Sequence, residues 1–308
     1  NIVLASDAAK LDLDPSRMHA RFLERGVQDP LLSLGYLKLR LDDQWIEWFG
    51  RSTSGATRMV NSDAKPAAVY QALILWNKQF SGATTEVLRF FARIRLWMVL
   101  LAAAAGALAL FLAGRKRPRL APRMAVLYSI SSTGFFGMAM NLALIFSFQA
   151  QYGYVYRMIG ALTAVFMAGV AGGSVVMRFA SRRYKKGWAA FFANEAAIVV
   201  FIVIAFVCIN FFGRGANSTY LYMILCFITG GLLGSEFPLA VRLYGENDAR
   251  AIRSTGVVFG ADLVGGVAAS VTAGVILLPL LGVGQLLIFL GFIKVFAAVN
   301  ICLIKKMK

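Results

Sequence analysis

Seven apolar stretches of about twenty residues follow one another from residue 94 onward, at about 94–114, 124–148, 158–180, 188–212, 219–241, 255–279 and 284–304. A helix of that length crosses a hydrocarbon layer roughly 30 Å thick. No water reaches the backbone inside a bilayer, so every N–H and C=O must be satisfied within the segment, and such stretches fold as helices. The pattern therefore predicts an all-α polytopic membrane protein, and a mean hydropathy of +0.67 lies above what soluble domains reach. Small residues inside the stretches point to close helix packing. The pairs Gly169/Gly173, Gly230/Gly234 and Gly256/Gly260 have the four-residue spacing that lets two backbones approach, and internal packing is the expected use of all three.

Charge divides the chain. Residues 1–90 hold 11 Lys/Arg and 10 Asp/Glu, a mixed balance that suits a soluble region; residues 91–308 hold 21 Lys/Arg and only 5 Asp/Glu. The excess lies between the apolar stretches, so membrane topology and anionic lipid account for it, and nucleic-acid binding is not expected. Loops rich in Lys/Arg alternate with poor ones. Arg115, Lys116, Arg117, Arg119 and Arg123 stand in one rich loop, Arg178, Arg182, Arg183, Lys185 and Lys186 in the next, and Arg242, Arg250 and Arg253 in a third. Lys305, Lys306 and Lys308 form the tail. The positive-inside rule makes these loops and the C-terminus cytoplasmic, with a bacterial inner membrane the expected location. Seven full crossings would put residues 1–90 outside, whereas Arg89, Arg93 and Arg95 argue for the other side, so the side of that region stays open.

Within residues 1–90, NIVLAS at 1–6 reads as a strand, and the chain as the C-terminal part of something longer or a processed product. Asp14-Pro15 opens a helix that a glycine stops. Residues 35–49 mix strand and helix signals. Asn61, Ser62, Asp63 and Pro66 supply turn and first-turn chemistry for a helix whose apolar stripe is Tyr70, Leu73 and Trp76.

Ionisable groups inside the spans are the functional pointers, since each costs a few kcal/mol at mid-bilayer without a partner, water or a role. Glu236 stands in GGLLGSEFPLA, Asp262 in GVVFGADLVGG and Lys294 in LGFIKVF, and Lys294 is expected to pair with Asp262 or Glu236. Glu195 reads as shallower and able to reach the interface. Asn141 adds an uncharged polar group. Two uses fit this set: a polar cavity for a cationic solute or proton, and polar contacts that fasten helices. Cys208, Cys226 and Cys302 form no metal or redox spacing, and His19 is the single histidine, so no metal site is expected. No nucleotide-binding loop or nucleophile–base set is visible; Asn217-Ser218-Thr219 matches a glycosylation sequon.

In combination, four segments resemble the integral-membrane spermidine synthase-like proteins, in which an aminopropyltransferase-like domain is fused to major-facilitator-like transmembrane helices. They are VNSDAKPAAVYQALILW at 60–76, GFFGMAMNLALIFSFQAQYGYVYRMIGALTAVFMAGVAGGS at 134–174, GGLLGSEFPLAVRL at 230–243 and GVVFGADLVGGVAASVTAGVILLPLLG at 256–282. The resemblance implies that residues 1–90 are the C-terminal remnant of an α/β synthase-like domain. It implies that residues 91–308 are a six-helix transporter-like half plus one linking helix. Asn141 stands where the family pattern has an acidic residue, and Ser62 where it has threonine. RFASRRYKK at 178–186 occupies the place of a basic transporter motif without its acidic partner. The family's catalytic region lies upstream of anything in this sequence, so no cofactor is expected here. Decarboxylated S-adenosylmethionine is implied only for a full-length member. The expectation is a membrane-embedded portion of a polyamine-synthase-like protein, non-catalytic by itself. A structural subunit of a larger membrane complex and a transporter for a cationic solute are the alternatives. The expected partners are the lipid bilayer and an upstream synthase-like domain or other complex subunits.

Overall fold

The structure, a computed structural model, describes residues 14–26, 29, 33–54, 67–80, 82–116, 120–153, 156–183, 187–212, 218–245 and 251–307. Among these there is no strand; the elements are helices. The chain forms two compact units, Asn1–Met59 and Val60–Lys308.

The first unit holds α1 (Pro15–Glu24), α2 (Leu34–Arg40) and α3 (Asp43–Thr53). Asp14 caps α1, its Oδ1 accepting from Ser16 N at 3.0 Å, with Pro15 in the first turn and Gly26 just past the end at φ 67°. The ambiguous run 35–49 is helical. Asp42 interrupts it and caps α3, accepting from Gln44 N at 2.9 Å, which splits the run into α2 and α3. The expected strand at 1–6 and the turn residues Asn61, Ser62, Asp63 and Pro66 lie outside the described residues.

The second unit begins with α4 (Ala67–Phe80) and α5 (Gly82–Phe91), tied by Tyr70 Oη donating to Leu88 O at 2.8 Å. The buried stripe of α4 is Ala67, Tyr70 and Ile74 rather than Tyr70, Leu73 and Trp76; Trp76 is 69% exposed. Helix α6 (Leu96–Lys116) follows and packs on the bundle beyond it.

Among the described residues, five stretches are long and apolar enough to cross a membrane: Ala121–Tyr152, Tyr156–Ser181, Gly187–Phe211, Thr219–Gly245 and Arg253–Cys302. They contain α7 (Ala121–Tyr152), α8 (Tyr156–Arg183), α9 (Gly187–Val207), α10 (Ser218–Gly245), α11 (Ala251–Thr272) and α12 (Leu278–Met307). Wide π turns extend α9 over Cys208–Phe212 and join α11 to α12 over Ala273–Leu277. Within α12, Gly282 has φ 78° and ψ 173°, a conformation essentially reserved for glycine, and the chain reverses there. The last stretch therefore passes the bundle twice. Asp262 and Gly274 meet Gly134 and Leu142, so α11 runs parallel to α7. Tyr128 against Phe296 and Phe135 against Phe289 make α12 antiparallel to it. By the same measure of length and composition, the apolar run of α6 spans Leu96–Gly106 among the described residues and falls short of a crossing.

Packing is most extensive between α8 and α10 and between α7 and α11; α7 also packs on α10 and α12, and α9 on α12 and α10. Exchanging α7–α9 for α10–α12 maps this set of pairs onto itself, so the six helices read as two inverted threes. Glycine closes the first two pairs. A Cβ on Gly169 would lie 2.2 Å from Phe227 O, on Gly173 2.0 Å from Gly231 O, on Gly230 2.1 Å from Phe166 O and on Gly234 2.0 Å from Val170 O. In the α7–α11 pair, a Cβ on Gly265 would lie 1.9 Å from Ser131 O. Gly256 and Gly260 depart from the expectation of internal packing: among the described residues, no neighbouring helix comes within 4 Å of a Cβ placed on either.

The basic helix ends gather at one end of the bundle. Arg242 donates to Ser181 O at 2.7 Å, joining the C-terminal ends of α10 and α8. Arg123 lies 5.5 Å from the Tyr244 ring centroid, joining the start of α7 to α10. Outward faces carry exposed aliphatic residues such as Val175, Val176, Val200, Val203, Val264 and Val267, a surface consistent with an integral, multi-pass membrane protein.

Candidate functional site: a buried lysine–diglutamate cluster

Four helices bring polar side chains to one place between the two threes. Helix α7 carries SISST, with Ser129, Ser132 and Thr133 on one face by their three- and four-residue spacing. The hydroxyls of Ser132 and Thr133 donate back to Ser129 O at 2.7 and 2.9 Å. That habit of hydroxyls in apolar helices satisfies their protons locally and leaves their lone pairs free. Lys294 on α12 uses those lone pairs: its Nζ donates to Thr133 Oγ1 at 2.6 Å and to Ser132 Oγ at 3.4 Å.

Two short polar pairs supply the acids. Asn194-Glu195 lies on α9 and Ser235-Glu236 on α10. Lys294 Nζ sits 2.7 Å from Glu195 Oε2 and 3.7 Å from Glu236 Oε2. Ser129 Oγ contacts Glu195 Oε1 and lies 2.9 Å from Glu236 Oε1. Asn194 Nδ2 donates to Glu236 Oε2 at 3.2 Å and to Leu232 O at 3.3 Å, while Ser235 Oγ donates to Asn194 Oδ1 at 2.6 Å. Glu195, Glu236 and Lys294 are each 0% exposed. Helix α10 continues through Pro238, which has no N–H to offer Gly234 O.

The structure brings together Glu236 and Lys294 of the expected residues. Glu195, expected to be shallow and to reach the interface, is instead the nearer partner of Lys294: the faces of α9 and α12 pack over it and close it from water. Asp262 does not pair with Lys294. It is half-buried on α11 against Gly134, its Oδ1 without a hydrogen-bond partner among the described residues, within electrostatic range of Glu236. Asn141 is buried on α7 eight residues beyond Thr133, about 12 Å further along the axis, and its Oδ1 also lacks a partner among the described residues. The sequence reading did not single out Ser129, Ser132, Thr133, Asn194 or Ser235. The signal was a polar residue directly before each buried glutamate and three hydroxyls on one face of an otherwise apolar helix. Among the described residues, no group of three His, Cys, Asp or Glu side chains is placed to hold a metal ion.

Chemically, the cluster balances buried charge and fastens four helices. An ammonium between two carboxylates in low dielectric is held in place by the cost of separating them: removing one partner of such a pair costs about 3–5 kcal/mol. Compared with protein-family models, curated proteins and solved structures, the chain matches none.

Proposed function

We propose that this chain is the membrane-embedded portion of a spermidine synthase-like protein, non-catalytic by itself, whose helices form a transporter-like unit for a cationic solute. The observation that carries the reading is the arrangement of α7–α9 and α10–α12 as inverted threes with an acid-rich polar cluster between them. Transporters built from inverted repeats put substrate and coupling-ion sites at such seams, within the membrane. In this proposal α6 links the synthase-like region to the six-helix half as a seventh crossing, the rich basic ends face the cytoplasm of a bacterial cell, and residues 1–90 are the synthase-like remnant. An upstream synthase-like domain would hold decarboxylated S-adenosylmethionine. Asp262, half-buried and within electrostatic range of Glu236, is the group from which a polycation would be met.

The test is uptake of radiolabelled spermidine into liposomes containing the purified chain. Wild-type protein accumulates label over protein-free vesicles, and Asp262→Asn abolishes the difference. Equal uptake with and without protein, or full uptake by Asp262→Asn, removes the transport reading.

A second reading has its own support. With Glu195, Glu236 and Lys294 at 0% exposure, no solute reaches them in this arrangement, which favours a helical platform in a larger membrane complex. Co-purification of stoichiometric partner subunits together with absent uptake favours the platform.

A further inference from the structure

Four side chains close a ring. Lys294 Nζ bridges the Oε2 atoms of Glu195 and Glu236, at 2.7 and 3.7 Å. Ser129 Oγ bridges their Oε1 atoms, touching Glu195 and lying 2.9 Å from Glu236. Two separate counts leave this ring one proton short.

The first count is of charge. One ammonium faces two carboxylates, and all three groups are fully buried. An uncompensated charge in such surroundings neutralises rather than persists. The second count is of donors. A serine hydroxyl carries one proton, so Ser129 can donate to one carboxylate oxygen only. Toward the other it offers lone pairs, and lone pairs facing a carboxylate at that distance repel. Lys294 does not fill the gap: its Nζ donates to Thr133 Oγ1 and Ser132 Oγ and forms ion pairs with the Oε2 atoms of the two glutamates, not with Oε1. Asn194 serves Glu236 Oε2, not Oε1. A proton on the second carboxyl supplies the missing donor and removes the surplus charge at once.

We propose that this ring is an intramembrane proton-binding site, holding one exchangeable proton shared between Glu195 and Glu236 through the Ser129 hydroxyl. When the proton sits on Glu236 Oε1 it donates to Ser129 Oγ, and Ser129 donates to ionised Glu195. Passing that proton to Oγ while the serine proton moves to Glu195 Oε1 exchanges the two roles with no net charge moved out of the ring. Lys294, between both Oε2 atoms, pairs with whichever carboxylate is ionised. Ser132 and Thr133 from α7 contact the ring at Lys294 and Asn194 from α9 contacts it at Glu236, with Ser235 from α10 bonded to Asn194; Tyr128 from α7 and Asp262 from α11 lie within electrostatic range of Glu195 and Glu236. The site deepens the transporter reading by giving it a coupling ion, and that use rests on the reading; the proton itself does not.

The experiment is infrared difference spectroscopy of the full chain in lipid nanodiscs at neutral pH, in H2O and D2O. Wild-type protein shows the C=O band of a protonated carboxyl that shifts down in D2O, and Asp262→Asn leaves it in place. Glu195→Gln and Glu236→Gln each lose it, because the remaining glutamate ionises against Lys294. Lys294→Met roughly doubles its area, both carboxyls then being neutral. Ser129→Ala, which keeps every charge, retains the band at a shifted position. A wild-type spectrum without the band overturns the proposal, and so does a band that survives in both single glutamine variants. The first arm needs no variant to fold. Absent spermidine uptake with the band intact removes the transport reading and leaves the proton site standing.

Discussion

Substituting alanine for Gly234 tests the packing that sets the distance between α8 and α10. The added Cβ would stand 2.0 Å from Val170 O, 2.8 Å from Val170 C and 2.9 Å from Val170 Cα. Ordinary contact begins at 3.4 Å, so the two backbones must part by about 1.4 Å at this point. The obstacle is backbone, which has no rotamer to change, and Gly230 and Gly173 make equally close contacts in the same crossing. Overpacking a core costs about 1–3 kcal/mol where side chains can yield, and here the effect belongs at the top of that range, about 3 kcal/mol. That is roughly a hundredfold in the folded-to-unfolded ratio. The assay is equilibrium unfolding of the purified chain by SDS in mixed micelles, followed by circular dichroism. Gly172→Ala is the control, since among the described residues no neighbouring helix comes within 4 Å of a Cβ placed there. Relief of glycine flexibility alone is worth up to about 1 kcal/mol in a helix and would stabilise both variants. Opposite signs for Gly234→Ala and Gly172→Ala are therefore expected. Two stabilised variants would refute the close approach of α8 and α10.

The same titration carries two further predictions. Lys294→Met breaks a fully buried pair and is expected to lose about 3–5 kcal/mol, whereas Glu236→Gln keeps one carboxylate opposite the ammonium and loses less than half as much; equal losses would contradict the ring. Asn141→Leu replaces a buried amide whose Oδ1 has no partner among the described residues, so a neutral result or a gain of about 1 kcal/mol is expected, and a loss above about 2 kcal/mol would mean that the amide is held by a contact made elsewhere.

The spans were legible because lipid imposes one rule on backbone and one on side chains. The expected boundaries at 124–148, 158–180 and 219–241 fall inside α7, α8 and α10, 188–212 covers α9 with its π extension, and Asp14-Pro15 opens its helix as the capping chemistry requires. The reversal at Gly282 was legible as a break between two apolar stretches, not as a change of direction. Partners were harder. Lys294 had three intramembrane acids to choose from, and position along a helix does not give its rotation. Glu195 stands only eight residues into α9 and read as shallow, yet its azimuth turns it toward α12. The glycine pairs show the same limit: spacing marked all three, but only rotation toward a neighbour separates Gly169/Gly173 and Gly230/Gly234 from Gly256/Gly260. For α4, periodicity named the wrong stripe because both faces are apolar, and packing chose Tyr70 and Ile74 over Trp76.

The bundle is fastened in two physically different ways, and the difference bears on how it could move. Helices α8 with α10 and α7 with α11 are joined through glycine against backbone, a steric contact that does not respond to protons or ions. Helix α9 meets α12 through Glu195 and Lys294 across the seam between the two threes, and through Ile202 near Gly291 and Phe206 near Gly284. Adding a second proton to the ring would leave Lys294 without an ionised partner, while removing the one it holds would leave a negative charge uncompensated. Either change destabilises the α9–α12 contact and leaves the glycine contacts as they were. Opening driven by the ring's protonation would therefore separate α9 from α12 while α8–α10 and α7–α11 move as fixed pairs. Distances between spin labels on α9 and α12 that respond to the Glu195→Gln/Glu236→Gln double variant, which leaves Lys294 without an ionised partner, with α8–α10 distances unchanged, are the signature of that motion.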